Sequence, residues 1–511
     1  MARTRGATTL GVAVEVPVQG TDATPLYAQV YHRLRDHILA GTLRPGARLP
    51  SARALAADLR VSRNTIEAAF QQLAAEGFIT RRVGAGTVVA ASMEEHVPFA
   101  RAPRRAQPPG PARPAQQVPI PLSKRGRLIS DLGRAEIQAD HPIGPCAADL
   151  IGFPTRLWYR LLARRARQGG AELFRAGDHY GMPPLRAAIA EHVRLTRGVR
   201  CEAEQVLVVN STQQAIDLAA RLLLDPGGTA LVEEPGYPSA RAAFLAAGAT
   251  VRTIPVDAEG VVAEELPKGP ATRLLYVTPS HQFPLGVTMT LARRLAVLGW
   301  AAESGAWVIE DDYDSEFRYQ GRPIAALQGL DQAGRVLYVG TCNKVLFPGL
   351  RLAYLIVPAG LVDAFAAGRR ITDGFSSPLM QSVLADFLAG GHFAAYLRQA
   401  RDHYAACRDA LVRSAETTWG GVVRLGPSDT GLHLLTYLPA GTHDVRLAAA
   451  APTEGLGVAA LSRYYYDRAR SRGLLLSYGA TTPERVRHAV VALAPLLTPP
   501  GGSLPRRKVA P

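Results

Sequence analysis

The stretch Trp307–Leu352 decides the fold: it opens WVIEDDYDSEF (Trp307–Phe317) and closes, after a loop, with RVLYVGTCNKVLFPGLRL (Arg335–Leu352). Two short apolar runs, Trp307–Ile309 and Val336–Val339, read as strands, and each ends in polar residues. The first delivers Asp311, Asp312 and Tyr313. The second delivers Thr341, Lys344 and, seven residues on, Arg351. In an α/β sheet, polar tips at the carboxyl ends of strands are where ligands bind.

Lys344 stands out by elimination. The chain has four lysines, at 124, 268, 344 and 508, because arginine has taken nearly every other basic position. Lys124 follows a proline-rich segment, Lys268 sits in a Pro/Gly turn and Lys508 is in the tail. Only Lys344 follows a strand and has small polar neighbours. An arginine cannot deprotonate and attack an aldehyde, whereas a lysine amine can form a Schiff base. The alternative is a surface lysine that escaped replacement; the context favours the nucleophilic amine.

The neighbours suit pyridoxal phosphate (PLP). Its pyridine nitrogen stays protonated if a buried carboxylate lies beside it, and Asp311 is the candidate. Tyr313 is placed to donate to the ring's phenolic oxygen. Arg351, by a bidentate charge-assisted pair, and the Thr341 hydroxyl are candidates to hold the phosphate.

These residues also carry a resemblance. EDDYDSEFRY (Glu310–Tyr319) followed by YVGTCNKVLFPGLRLAY (Tyr338–Tyr354) resembles the fold-type I aminotransferase-like domain of MocR/GabR-type transcriptional regulators, including the 33-residue spacing from Asp311 to Lys344. The resemblance runs from about Pro25 to Leu497. It implies further pocket residues: Thr212 and Gln213 at a phosphate-cradling helix start in VLVVNSTQQAIDLAARLL, and Tyr237 of VEEPGYPSARAAF stacked on the pyridine ring. His281 of TPSHQFPLG lies near the ring by the same resemblance. Two positions depart from it. Phe283 stands where ordinary aminotransferases have an asparagine that bonds the ring oxygen. Ser239 stands where the GABA-responsive relative has an arginine, with Arg241 two residues further on. Arg463 and Arg472 are further candidates for holding a carboxylate.

A chain of 511 residues predicts more than one domain. The net charge of +15 is uneven: residues 1–130 hold 18 Lys+Arg against 8 Asp+Glu. A basic front end points to nucleic acid or another polyanion, or to a general preference for arginine. Cys146, Cys201, Cys342 and Cys407 are scattered without metal-ligand or disulfide-scaffold spacing. No run approaches about 18 uninterrupted apolar residues, so no membrane span and a cytoplasmic location are expected.

Near the front, Leu26, Val30, Leu34 and Ile38 form one helical stripe that Gly41 and Arg44-Pro45-Gly46 end. Ser51 opens a short helix. Ser62 opens a third as its N-cap, with Ile66, Phe70 and Leu73 on the buried face. FITRRVGAGTVVA (Phe78–Ala90) then reads as two β-prone runs about a Gly-Ala-Gly turn. Three helices and a hairpin predict a winged helix-turn-helix. Its third helix starts Ser62-Arg63-Asn64-Thr65, and recognition helices read base edges from their N-terminal residues. Arg81 and Arg82 lie beside the wing. The string Leu26–Ile79 resembles the GntR-family winged helix, and the resemblance makes Arg53, Arg63, Asn64 and the wing glycine Gly84 the DNA contacts. Glu67 departs from it, standing where some relatives carry a DNA-contacting arginine.

The expected organisation is a multidomain chain: an arm (1–23), an α+β winged helix-turn-helix (24–91), a Pro/Arg-rich linker (92–122), an α/β fold-type I aminotransferase-like domain with a smaller C-terminal lobe (123–497), and a tail (498–511). The expected function is a PLP-dependent regulator that binds an operator in double-stranded DNA. It senses a small amine, an amino acid or PLP itself, and the resemblance implies a head-to-tail homodimer. The alternative is an active aminotransferase carrying a DNA-binding domain.

Overall fold

The computed structural model describes residues 24–82, 86–90, 122–139, 150, 152–321, 324–451 and 456–497. The expected arm, almost all of the linker, the tail and Gly84 therefore lie outside the described residues. The chain divides into two compact units, Met1–Pro119 and Ile120–Pro511.

The first unit is a winged helix-turn-helix of α1 (Leu26–Leu39), β1 (Arg48–Leu49), α2 (Ala52–Leu59), α3 (Arg63–Ala75), β2 (Ile79–Arg82) and β3 (Gly86–Val89). Every fourth residue of α1 is apolar, so Val30, Leu34 and Ile38 are buried together with Leu55, Leu59, Ile66, Phe70 and Leu73. The wing is an antiparallel sheet in the order β1-β3-β2. β1 was not expected: two residues are too few to show an alternation in sequence.

The second unit is built on an eight-stranded sheet. Its strands are β4 (Val206–Val209), β5 (Thr229–Glu234), β6 (Thr250–Asp257), β7 (Gly260–Val261), β8 (Thr272–Val277), β9 (Trp307–Asp312), β10 (Val336–Thr341) and β11 (Ala353–Ile356). The spatial order is β4-β11-β10-β9-β8-β5-β6-β7. β10, β9, β8, β5 and β6 run parallel, while β11 is antiparallel to both its neighbours.

Strands covered on both faces read as continuous apolar runs, and alternation decides which helix layer each residue meets. The described helices of the α/β layers include α4 (Lys124–Ala139), α5 (Thr155–Gln168), α6 (Pro183–Arg197), α7 (Thr212–Leu223), α8 (Pro238–Ala247) and α9 (Leu291–Ser304). Leu207, Val209, Val232, Tyr276, Ile309 and Val339 face α7 and α8 through Ile216, Ala219, Ala240 and Phe244. On the other face, Val206, Val208 and Tyr338 pack on Trp158 of α5 and Ile189 of α6, while Leu275 and Val308 pack on Val297 of α9.

After β11, α10 (Val362–Thr372), α11 (Pro378–Ala389) and the long α12 (His392–Trp419) lead into a smaller lobe. There β12 (Arg424–Leu425), β13 (His433–Tyr437), β14 (Gly457–Ala460) and β15 (Gly473–Ser477) form an antiparallel sheet in the order β12-β13-β15-β14. Leu411 and Trp419 of α12 pack with Val486, Val490 and Leu493 of a last helix, α13 (Pro483–Leu497), behind it. No described helix is long and apolar enough to cross a membrane.

Candidate cofactor pocket and DNA-reading helix

β9 extends three residues beyond the expected strand, so Asp311 and Asp312 are its last members and point to opposite faces. Asp311 falls on the face of Tyr276, whose hydroxyl donates to Asp311 Oδ2 at 2.6 Å. Its other oxygen, Oδ1, is buried and has no hydrogen-bond partner among the described residues. Burial pushes the Asp311 carboxyl up to about 6, against the pull of the Tyr276 hydrogen bond and the Lys344 ammonium. Asp312 falls on the other face, where Arg197 Nε lies 2.7 Å and the Tyr338 hydroxyl 2.6 Å from Oδ2. Burial pushes its carboxyl up, but Arg197 and these hydrogen bonds outweigh it and hold Asp312 below the usual range.

Lys344 sits in the turn after β10, half-buried, with Nζ 4.7 Å from the centre of the Tyr313 ring and 6.0 Å from that of Tyr237. Asn343 fixes that turn. Its Nδ2 donates to Asn210 O at 3.1 Å, its Oδ1 accepts from Leu352 N at 2.8 Å, and its backbone N–H donates to Thr341 Oγ1 at 3.2 Å. Thr341 is buried at the end of β10. The Lys344 turn is thereby tied to the residue that precedes the cap of α7.

Ser211 caps α7, its Oγ accepting from Gln214 N at 3.1 Å. Thr212 and Gln213 are the first two residues of the helix, where backbone N–H groups have no helical acceptor and favour an anion. Gln213 Nε2 donates to Ser239 O at 3.0 Å. A cavity of about 690 Å³ opens here, walled by Ser211, Gln213, Tyr237, Ser239 and Arg351, with Leu132 of α4 across from them. Arg351 adopts a left-handed φ of 54°. A residue with a Cβ holds that conformation only where its surroundings over-determine it. Asp311, Lys344 and Tyr313 are not in this wall; Tyr237, which is, links them to it.

Tyr313 and His281 are joined to each other. The Tyr313 hydroxyl donates to His281 O at 2.9 Å, and His281 Nδ1 lies 2.9 Å from Asp314 Oδ2. His281 is buried against His433 of β13, ring centres 4.6 Å apart, so it belongs to the seam between the large sheet and the smaller lobe. Phe283 packs edge-on against Tyr237 at 5.8 Å and Tyr464 at 5.0 Å, an apolar contact. Arg472 lies 3.4 Å from Asp444. Sequence reasoning missed Tyr276 and Asn343. The parallel register that sets Tyr276 beside Ile309 lets its hydroxyl reach Asp311, two residues on along the same face, so only strand pairing exposes it.

In the winged helix, Arg53, Arg63 and Asn64 are exposed. Ser62 and Thr65 cap α3: Ser62 Oγ accepts from Thr65 N at 3.1 Å and lies 2.8 Å from Thr65 Oγ1. The Arg82 backbone pairs with Gly86 across the wing. Glu67 is paired with Arg81 at 2.8 Å, which ties the recognition helix to the wing strand.

The residues present fit PLP. Asp311 Oδ1 is a buried acceptor in want of a donor, the Lys344 amine is nearby, Tyr237 offers a ring face, and the α7 start with Arg351 offers an anion cradle. Fold and site together define a class: a winged-helix DNA-binding domain joined to an aminotransferase-like domain. Residues 26–89 match the family described as bacterial regulatory proteins of the gntR family, and residues 160–493 match aminotransferase class I and II. The chain is 39% identical over 485 residues to the probable rhizopine catabolism regulatory protein MocR of Rhizobium meliloti, covering 94% of this chain and 96% of that one. It is 33% identical to the HTH-type transcriptional regulator TauR of Rhodobacter capsulatus, over 91% of this chain and 95% of that one. The multiple substrate aminotransferase of Thermococcus profundus superposes with a TM-score of 0.67 at 24% identity, covering 74% of this chain and 97% of that one. The chain belongs to the MocR-type family of HTH transcriptional regulators, in which a GntR winged helix is joined to a class I and II aminotransferase domain.

Proposed function

We propose that this regulator binds PLP through Lys344 and uses it to sense a small amine, an amino acid or PLP itself. The observation that carries the reading is Asp311 Oδ1, buried and without a partner near a lysine, in a chain that also has a DNA-reading helix. PLP supplies an electrophilic carbon that an amine can attack. The chain's own residues do the rest. Asp311, oriented by Tyr276, holds the ring nitrogen's proton. Tyr237 would cover the ring, Tyr313 would donate to its phenolic oxygen, and His281 would act through Tyr313. Thr212, Gln213, Thr341 and Arg351 would hold the phosphate. In the winged helix, Arg63 and Asn64 read base edges, while Arg53, Ser62, Thr65, Arg82 and Gly84 position the DNA backbone. A cytoplasmic homodimer, assembled head to tail, would present two winged helices to paired half-sites.

A ligand shifts an arrangement only if it binds one state better. The test is to titrate PLP-loaded protein with a panel of amines while following cofactor absorbance and operator affinity. The sensor reading expects at least one amine, or PLP, to change both. If none alters operator affinity, the reading is wrong. The intact Lys344, Asp311 and Tyr276 set also favours a second reading, an aminotransferase with a DNA-binding domain. Multiple turnovers with an amino acid and an oxo-acid would support it.

A further inference from the structure

The antiparallel pair of β13 and β15 ends in two loops that leave the small sheet side by side. Leu438 N donates to Arg472 O at 2.9 Å, one step past the last ladder pair, Tyr437 with Gly473. Between the loops lies a cavity of about 490 Å³. Tyr437, Thr442 and His443 wall one side, and Arg468, Arg470 and Arg472 wall the other. None of the residues assigned above to the cofactor belongs to this wall. The first loop is held by a turn in which Thr442 N donates to Pro439 O at 3.2 Å and Gly441 takes a φ of 83°.

Three guanidinium groups and an imidazole line the cavity, and no acid is among its walls. Arg472 is anchored from behind by Asp444, 3.4 Å away. That carboxylate is fully buried and also accepts from Ser462 N at 2.9 Å and the Ser462 hydroxyl at 2.8 Å. Arg468 and Arg470 are exposed and enter no ion pair among the described residues. Asp467 and Glu234 lie outside the wall, where Glu234 accepts from Tyr466 N and Asp467 N at 2.9 and 3.1 Å. Arg424, stacked 3.8 Å from the centre of the Tyr437 ring, adds a further cation at the edge. Like charges gathered around one hollow repel, and a multiply charged anion removes that cost. With Asp444 balancing Arg472, two arginine charges in the wall are left for a ligand to meet. Guanidinium forks pair with phosphate oxygens two at a time.

We propose that this cavity is a second ligand site, separate from the cofactor pocket, and that it takes a small molecule carrying two or more phosphate charges. The inference does not rest on the sensor reading. The volume far exceeds the roughly 10–15 Å³ that one water needs and falls among small-molecule clefts of about 300–1,000 Å³. A cleft between two loops suits a compact anion better than a duplex backbone, whose phosphates need an open face. The arginine loop also continues the Tyr464–Tyr466 segment, and Gly236 N donates to Tyr464 O at 3.1 Å. One loop therefore holds the anion at one end and meets the turn before Tyr237 at the other, which gives the second ligand a route to the cofactor side.

The test titrates full-length protein, incubated with PLP so that the phosphate cradle is filled, with sodium tripolyphosphate by calorimetry. Salt is kept at about 150 mM, where screening weakens diffuse attraction to exposed charge. One saturable site per chain is expected, and citrate, a polyanion without phosphate, binds about tenfold more weakly or worse. Replacing both exposed arginines, Arg468→Gln with Arg470→Gln, weakens tripolyphosphate about tenfold or more. An unchanged thermal midpoint without ligand shows that the double variant is folded; if it is not, Arg468→Gln alone takes its place, with a loss of about threefold or more. Absence of saturable binding overturns the proposal, as does a folded variant that binds tripolyphosphate like the wild type. Citrate that binds as tightly overturns the phosphate assignment. A variant that keeps tripolyphosphate affinity but loses operator affinity assigns the arginines to DNA and overturns the site as well.

Discussion

Asp311 and Asp312 are adjacent in the chain and opposite in the fold. One step along a strand turns a side chain to the other face, so Asp311 meets Tyr276 and the Lys344 side while Asp312 meets Arg197. Their carboxyl pKa values shift in opposite directions accordingly. If Asp311 holds the ring nitrogen, Asp311→Asn will weaken PLP binding by about 1.5–3 kcal/mol, the range for a hydrogen bond to a charged group, measured by equilibrium titration. Lys344→Ala will remove the visible absorbance that survives borohydride reduction and denaturation, with the fold intact; retention of the chromophore would assign the link to another lysine. The acids also set a pH dependence. In protein without cofactor, burial raises Asp311 to about 6, Glu233 and Glu310 to about 7 and Glu316 to about 8. Each folded value exceeds the unfolded one, so each contributes stability at low pH that is lost as pH rises through the folded value. The thermal midpoint of cofactor-free protein should therefore fall as pH rises from about 4.5 to 8, and less steeply below about pH 6 in Asp311→Asn. Parallel slopes would mean that Asp311 titrates normally.

At the scale of elements, α3 and α7 are both opened by a serine, Ser62 and Ser211, whose Oγ accepts a first-turn N–H. In the proposed function the same local device serves two ends: one helix start is offered to DNA and the other to a phosphate. Ser62→Ala will cost the winged helix about 1 kcal/mol, the usual worth of an N-cap, read from chemical denaturation. Arg63→Ala, if Arg63 reads a base edge, will cost about 1–3 kcal/mol on the operator and relax base preference. Arg82→Ala, if it meets phosphate, will weaken all sequences alike and flatten the salt dependence by about one unit. Equal losses on operator and random DNA would make Arg63 a backbone contact as well. The Glu67–Arg81 pair is partly exposed and adds little stability. Its consequence is geometric, since it removes Arg81 from the groups free to meet phosphate.

At the scale of the whole molecule, the regulator reading requires that DNA and effector each feel the other. Coupling between sites is reciprocal. Operator DNA must therefore change effector affinity by the same factor that effector changes operator affinity, and calorimetry in both orders checks this. Unequal factors would show that the two titrations report different species. The dimer proposal expects twice the chain mass by light scattering at the concentration where operator binding saturates; a monomer there would remove the paired half-sites.

Much of this was legible in the chain. The apolar runs Trp307–Ile309 and Val336–Val339 lie in β9 and β10, and α1 and α3 begin within a residue of where periodicity and caps placed them. Local chemistry decides those features: a side-chain period, a capping hydroxyl, a glycine turn. Lys344 emerged because one residue type is scarce. What the chain alone could not decide depends on pairing between segments far apart. β1 and β6 escaped notice because one is too short and the other alternates only in part, and both exist by virtue of their neighbours. Tyr276 reaches Asp311 across 35 residues, Asn343 holds Asn210 across 133, and Arg241 meets Tyr466 on another lobe. Those contacts carry the site's geometry and its free valences. They arise from sheet register and lobe packing, which bring together residues whose separation in sequence leaves no local trace.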